Sequence, residues 1–306
     1  MPNTQDSVLA AGSNRQQEQV ADVSRPLSHQ ARTVVIRRFE SSEDASGTDE
    51  VAAEEPLEIQ VEGRSIAVVM RTPGDDFELA VGFLVTEGLV KCADDIREIR
   101  RAPHCVFPLQ ESAGPFRELN TSNSVNVLLT DPASVDWSKL SRHVFTSSSC
   151  GICSKASIAA VQQQFSPIHD PCEVDPQVIL DLPRALSQAQ ETFKRTGGLH
   201  ACGLFNLFGR LLILREDVGR HNALDKVIGW ALLERRLPLR GHILLLSGRT
   251  SFEMMQKALA GGISIVAAVS APSSLAVDFA RDSGQTLIGF LRGGRMNIYS
   301  GGSRVR

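Results

Sequence analysis

From about residue 131 onward, short apolar runs alternate with longer amphipathic ones. This alternation limits the chain's folding more than any other feature. The short runs are 204–208, 211–214, 243–246, 263–269, 286–290 and 297–299. Between and before them, helical spacing predicts helices over 151–165, 176–195, 219–235, 251–260 and 273–281. Apolar runs of four to eight residues suit buried strands, and apolar positions every three to four residues suit helices packed on a sheet. Strands that alternate with helices specify a largely parallel, layered α/β domain.

The first half of the chain reads differently. Residues 33–39 form a first strand, and the acidic, small-residue stretch 41–55 reads as a loop. Leu57, Ile59 and Val61 alternate with polar residues, Glu62-Gly63 turns the chain, and Ile66, Val68 and Met70 alternate again. That is a hairpin pattern. Asp75-Asp76 then caps a helix carrying Phe77, Leu79, Ala80, Phe83 and Leu84, which ends near Gly88. Further strands fall at 96–99 and 125–129. Residues 1–31 are polar and aperiodic, as expected of a disordered tail. The expected division is a tail over 1–31, a smaller α+β domain over 32–135 and an α/β domain over 136–306, and 306 residues suffice for two domains.

Six cysteines are too few for a disulfide scaffold of this length. No apolar signal region opens the chain, and no run reaches the ~18–20 apolar residues of a membrane span. The expected compartment is the cytoplasm. The net charge of −3 gives no general attraction to nucleic acid or membrane.

Cys150 and Cys153 are the main chemical candidates, in Ser149-Cys150-Gly151-Ile152-Cys153-Ser154. They follow four hydroxyl residues and precede a predicted helix. A helix N-terminus stabilises a thiolate, and Lys155 adds positive charge. Four readings stay open on the residues alone. The pair can be two small residues in a turn, or a thioredoxin-like redox site. It can be part of a zinc site, although no second C-x-x-C completes four ligands, and His169 and Cys172 are the nearest supplements. It can also carry sulfur as a persulfide.

Two strand-to-helix junctions suit an anion, and each alone reads equally well as a helix cap with solvated charges, Asp217 or Asn222 capping the first. Arg215-Glu216-Asp217-Val218-Gly219-Arg220-His221-Asn222 opens one helix, with Arg220 and His221 placed for a phosphate and Asp217 for a base or hydroxyl. Asp225 and Lys226 are expected on the helix surface. Leu246-Ser247-Gly248-Arg249-Thr250-Ser251 repeats the pattern through Ser247, Gly248 and Arg249. If their strands are parallel, both junctions share the sheet edge where open α/β sheets bind ligands. Residues 270–274 form a third such turn. Phe290-Leu291-Arg292-Gly293-Gly294-Arg295 makes a tight hairpin whose two arginines also suit a pyrophosphate. Thr196-Gly197-Gly198 reads as a helix C-cap, and His200 with Cys202 as a buried structural pair. The Walker A, G-x-G-x-x-G, G-x-S-x-G and zinc-deaminase signatures are all missing from the sequence.

Assembled, these segments resemble the FdhD family of formate dehydrogenase accessory sulfurtransferases. The matching stretches are FELAVGFLVTEGL at 77–89, SCGIC at 149–153, TGGLHACGLF at 196–205, REDVGRHNALDKVIGWAL at 215–232, LLLSGRTSFEMMQKALAGGI at 244–263 and GFLRGGRMNIYS at 289–300. The resemblance implies a cytidine-deaminase-like layered α/β C-terminal domain and a homodimer. It implies sulfur taken from a cysteine desulfurase onto a persulfide and delivered to the molybdenum cofactor, Mo-bis-molybdopterin guanine dinucleotide, for formate dehydrogenase. Cys150 would carry the sulfur, Cys153 would assist, and residues 290–295 would bind the cofactor. A non-catalytic chaperone of the cofactor or apo-enzyme and a zinc-binding interaction module remain as alternatives.

Overall fold

The computed structural model describes residues 29–40, 43–102, 123–134 and 165–306. Cys150, Cys153, the predicted helix over 151–165 save its last residue, and nearly all of the N-terminal tail lie outside these residues.

A six-stranded sheet organises the second half. Its strands are β7 (His200–Asn206), β8 (Leu211–Asp217), β9 (His242–Leu246), β10 (Ile265–Ala268), β11 (Thr286–Arg292) and β12 (Arg295–Ser300). They lie in the order β12-β11-β10-β9-β7-β8. The central β9, β10 and β11 are parallel, while β7 runs antiparallel to both β8 and β9. The sheet is therefore mixed, with a parallel centre and antiparallel flanks.

Alternation along the strands sends side chains to two faces. On one face Ala201, Phe205, Ile243, Leu245, Ile265, Ala267 and Ile288 meet Ile179, Leu182 and Leu186. The latter three belong to α2 (Pro176–Ala189), which breaks at Gln190 before a short α3 (Glu191–Thr196). On the other face Cys202, Leu204, Leu244, Leu246, Val266, Ala268 and Leu287 join a larger core. That core includes residues of α4 (Arg220–Leu233), α5 (Phe252–Ala260) and α6 (Ser274–Asp282).

The same core continues into the first half. It takes in Leu79, Ala80 and Leu84 of α1 (Asp76–Thr86), and the inner residues of a second sheet. This sheet contains β3 (Glu55–Val61), β4 (Arg64–Arg71), β5 (Ile96–Arg101) and β6 (Ser124–Leu129), in the order β4-β3-β6-β5. Helices α1 and α4 cross closely enough that only glycine fits. A Cβ on Gly82 would overlap the Asp225 carbonyl, and one on Gly229 would overlap the Glu78 carbonyl. Arg215 of β8 adds a two-toothed bond to Glu78 of α1, at 2.6 and 2.8 Å.

Two expectations change here. The acidic stretch 41–55 contains β2 (Glu43–Ala52), which pairs antiparallel with β1 (Ala31–Glu40) in a separate two-stranded ribbon. Its exposed, largely polar side chains carry no alternation to read. Asp75 occupies the N-cap of α1 in left-handed geometry but makes no side-chain cap. Its carboxylate instead lies 3.4 Å from Arg215. The two hairpin turns fall where expected: Glu62-Gly63 and Gly293-Gly294 both have positive φ, the geometry a tight two-residue hairpin requires.

Candidate functional site

Strands β8 and β9 run in the same direction on either side of β7, so their C-terminal ends share one edge of the sheet. The junctions before α4 and α5 therefore sit side by side. The turn after β10 and the hairpin tip after β11 complete the edge, since β9, β10 and β11 are parallel.

The charged run that leads into α4 is mostly structural. Arg215 binds Glu78, as above. The Glu216 carboxylate accepts from Thr192 N at 3.1 Å and Phe193 N at 2.9 Å, which caps α3. Asp217 is fully buried and pairs with Lys226 Nζ at 2.7 Å, also fully buried. Its oxygens accept further from Thr72 N, Gly219 N and Asn222 Nδ2 at 3.1, 2.8 and 2.9 Å. This carboxylate braces the turn from within. The expectation that Asp225 and Lys226 lie on the helix surface is corrected: both are buried, and Asp225 pairs with Lys257 at 2.8 Å. Their partners come from distant segments, so helix periodicity could not reveal them.

The residues left toward the edge are Arg220 and His221, both half-buried at the start of α4. His200 begins β7 and pairs across the sheet with Asp217. On its other side lies Gly248, whose added Cβ would stand 3.2 Å from His200 Nδ1. Burial lowers the His200 pKa first, and the Arg220 charge and, more weakly, Arg249 add to this against the opposing pull of Asp217. Burial and the two guanidinium charges together favour the uncharged imidazole. Sequence reading set His200 aside as a partner of Cys202; no spacing signal marks a strand's first residue as facing a ligand edge.

Ser247 is tied to β7: its hydroxyl accepts from Ala201 N at 2.8 Å and its N–H donates to Ala201 O at 3.0 Å. Arg249 projects into solvent. At the hairpin, Phe290 has φ 52° and donates its N–H to Ser270 O at 3.1 Å, which fastens the hairpin to the neighbouring turn. Leu291 is buried beneath, while Arg292, Gly293, Gly294 and Arg295 are exposed. A cleft of about 540 Å³ opens beside the edge, lined by Leu186, Gln190, Phe193, Leu199, His200 and Ser247 among others.

None of the described cysteines is poised for reaction at this edge. Burial drives the Cys202 thiol far above its ordinary pKa. Cys172 is also pushed up, chiefly by burial, and contacts Ser264 just before β10, at the opposite edge of the sheet. Cys92 is exposed beside Asp95 in the first half. Among the described residues no His, Cys, Asp and Glu cluster could hold a metal ion. No helix among them is long and apolar enough to cross a membrane.

Fold and edge together define a mixed α/β protein whose arginine-bearing strand-to-helix turns lie side by side at one edge of the central sheet. The chain belongs to the FdhD/NarQ family, whose profile matches residues 52–306. It is 49% identical over 257 residues to the sulfur carrier protein FdhD of Mycolicibacterium paratuberculosis, covering 83% of this chain and 91% of that one. The protein of the same name from Sulfolobus acidocaldarius is 38% identical over 276 residues, covering 90% and 99%. A crystal structure of a protein described as a formate dehydrogenase accessory protein, from Desulfotalea psychrophila, superposes with a TM-score of 0.69 at 27% identity. It covers 90% of this chain and all of the other.

Proposed function

We propose that this protein is a sulfur carrier and sulfurtransferase that serves formate dehydrogenase. One observation carries the reading: a chain whose relatives are named sulfur carriers gathers Arg220, Arg249, Arg292 and Arg295 at one edge of the central sheet. In the first step the Cys150 thiolate attacks the outer sulfur of a cysteine desulfurase persulfide. An S–S bond forms on Cys150, and the desulfurase cysteine leaves as its thiolate. Cys153 assists. The acceptor is Mo-bis-molybdopterin guanine dinucleotide, bound as substrate.

Arg220, His221, Ser247, Gly248 and Arg249 would hold its anionic groups, with Phe290, Leu291, Arg292, Gly293, Gly294 and Arg295 forming the hairpin that borders it. Asp217 would act from below, by fixing the turn. The strand order, a hairpin beside three parallel strands, supports a cytidine-deaminase-like ancestry for this layer. The protein would work in the cytoplasm as a homodimer.

Incubation of the full-length protein with a cysteine desulfurase and labelled cysteine tests the first step. The wild type should acquire label that reductant removes, and Cys150→Ala should acquire almost none. Undiminished label on Cys150→Ala would remove Cys150 as the carrier.

A further inference from the structure

The ribbon of β1 and β2 stands apart from both larger sheets. Among the described residues its two strands pair only with each other, through ten consecutive register pairs without a bulge. At ~3.3 Å per residue it is roughly 30 Å long. Its base is fastened to the body. Gln30 O accepts from Ala53 N at 2.8 Å, and Gln30 Oε1 accepts from Thr192 Oγ1 of α3 at 2.7 Å. Arg195 of α3 holds Glu50 of β2 at 2.5 and 3.0 Å, and a Cβ on Gly198 would stand 3.4 Å from that of Ala52. Strand β2 is therefore the one against α3, and β1 is the outer one.

Such a ribbon is poorly supported by itself. A two-stranded hairpin is marginal in water without a third strand or a covering layer. Beyond the base, Val35 is 84% exposed and Phe39 73%, on the same face of β1. An open edge is ordinarily blunted by a proline, a bulge or a charge at its middle. The middle of β1 has none of these: it is Val34-Val35-Ile36.

The order of residues in β1 shows which partner fits. About Val35 the strand has the same character in both directions. Val34 and Ile36 are β-branched, Thr33 and Arg37 are polar, and Arg32 and Arg38 are cationic. A strand with that symmetry is complementary to an antiparallel copy of itself. With a two-fold axis at Val35, this residue meets the partner's Val35, Val34 meets the partner's Ile36, and Thr33 meets the partner's Arg37. β-branched pairs across strands stabilise a sheet. Arg32 meets the partner's Arg38, an unfavourable pair, but Glu55 already offsets the Arg32 charge at 2.5 Å.

Antiparallel pairing also keeps the two bodies apart. The tip of each ribbon lies at the base of the other, so the bodies stand at opposite ends of one four-stranded sheet. Phe39 then meets Ala31 of the partner subunit. That brings its ring to the end of the ribbon fastened to α3, the helix that carries the exposed Phe193.

We infer that β1 is a dimerisation strand, which pairs antiparallel with β1 of a second copy about a two-fold axis at Val35. The inference rests on the homodimer reading and names its surface. Strand β1 lies ahead of residue 52, where the match to the family profile begins, so that profile does not supply this surface.

Sedimentation equilibrium of the full-length protein over a concentration series tests this. The wild type should dimerise. Val35→Lys and Val35→Glu each set two like charges on the axis, and each should weaken dimerisation at least about tenfold. An equimolar mixture of the two variants sets lysine opposite glutamate and should recover most of that loss, as expected of a residue that meets itself across the axis. Should a charged variant not fold, Phe39→Ser at the exposed tip carries the test, and it should weaken the dimer several-fold. Wild-type affinity in the variants, or a mixture no tighter than either variant alone, would overturn the surface and leave the homodimer reading standing. A wild type that stays monomeric throughout would overturn that reading and the surface with it.

Discussion

The two edges of the six-stranded sheet treat polar groups in opposite ways. At the edge where β9, β10 and β11 begin, polar side chains are matched. Asp170 accepts from Ser264 Oγ at 2.6 Å, Gly241 N at 2.9 Å and Cys172 N at 3.2 Å. Arg304 donates to the Asp170 and Gly284 carbonyls, both at 2.9 Å, and Gln285 Nε2 donates to Ile263 O at 2.9 Å. At the edge where these strands end, two helices are uncapped, two hydroxyls are orphaned and three arginines are exposed. The first edge spends its polar groups on the fold. The second leaves them unmatched, as the proposed cofactor site would require. The boundary between the two habits is the Asp217–Lys226 pair, which closes the interior directly beneath the open edge.

This contrast yields an ordered set of expectations: closed groups should cost stability when removed, and open groups should cost binding. Lys226→Met should have the largest effect on stability. It leaves the Asp217 charge buried without its partner, a loss on the order of 3–5 kcal/mol, readable in urea unfolding. A change below about 1 kcal/mol would show that the pair is not the brace described.

Asp170→Ala should cost about 1–3 kcal/mol, because it strands the buried Ser264 hydroxyl and two half-buried N–H groups at the closed edge. The pH dependence has a definite sign. Burial pushes the Asp170 carboxyl up, but the bonds from Ser264, Gly241 and Cys172 outweigh it and hold the pKa below the usual carboxylate range. Its contribution is present above the unfolded value of roughly 3.9 and is lost as pH falls through the folded value. Thermal melts under acid conditions should therefore fall less steeply for the variant than for the wild type.

Arg249→Gln, at the open edge, should change stability by no more than about 0.5 kcal/mol while weakening binding of the molybdenum dinucleotide cofactor. A stability loss comparable to that of Asp170→Ala would erase the distinction between the edges.

The smallest effect is expected at His200. Its folded pKa is lowered by burial and by Arg220 and Arg249, so the unfolded chain binds more protons. Its contribution to stability is present above about 6.5, the ordinary histidine value, and is lost as pH falls through the folded value. His200→Gln should flatten the pH dependence of stability below about 6.5.

Local signals in the sequence carried far. Tight turns at Glu62-Gly63 and Gly293-Gly294 were readable because few residues tolerate positive φ. The shared edge of the two junctions followed from strand direction alone. Groups whose partners lie far along the chain stayed hidden. Lys226 meets Thr72 O at 3.0 Å across 154 residues, and Lys257 meets Thr86 Oγ1 at 2.8 Å across 171. The strand Glu43–Ala52 lacked an apolar face, so its period could not be seen. The unmatched Thr250 hydroxyl was invisible for the opposite reason: an orphan hydroxyl is defined by what surrounds it.

The central claim joins two sites: Cys150 carries sulfur, and the open edge holds the acceptor. The direct measurement is intact mass of the full-length protein loaded by a cysteine desulfurase, followed after addition of the molybdenum dinucleotide cofactor. Wild-type protein should gain about one sulfur and then lose it on addition of the cofactor, and the cofactor so treated should activate added apo-formate dehydrogenase. The Arg249→Gln, Arg292→Gln double variant should load equally well and keep its sulfur. Hand-over by that variant at the wild-type rate would contradict the account.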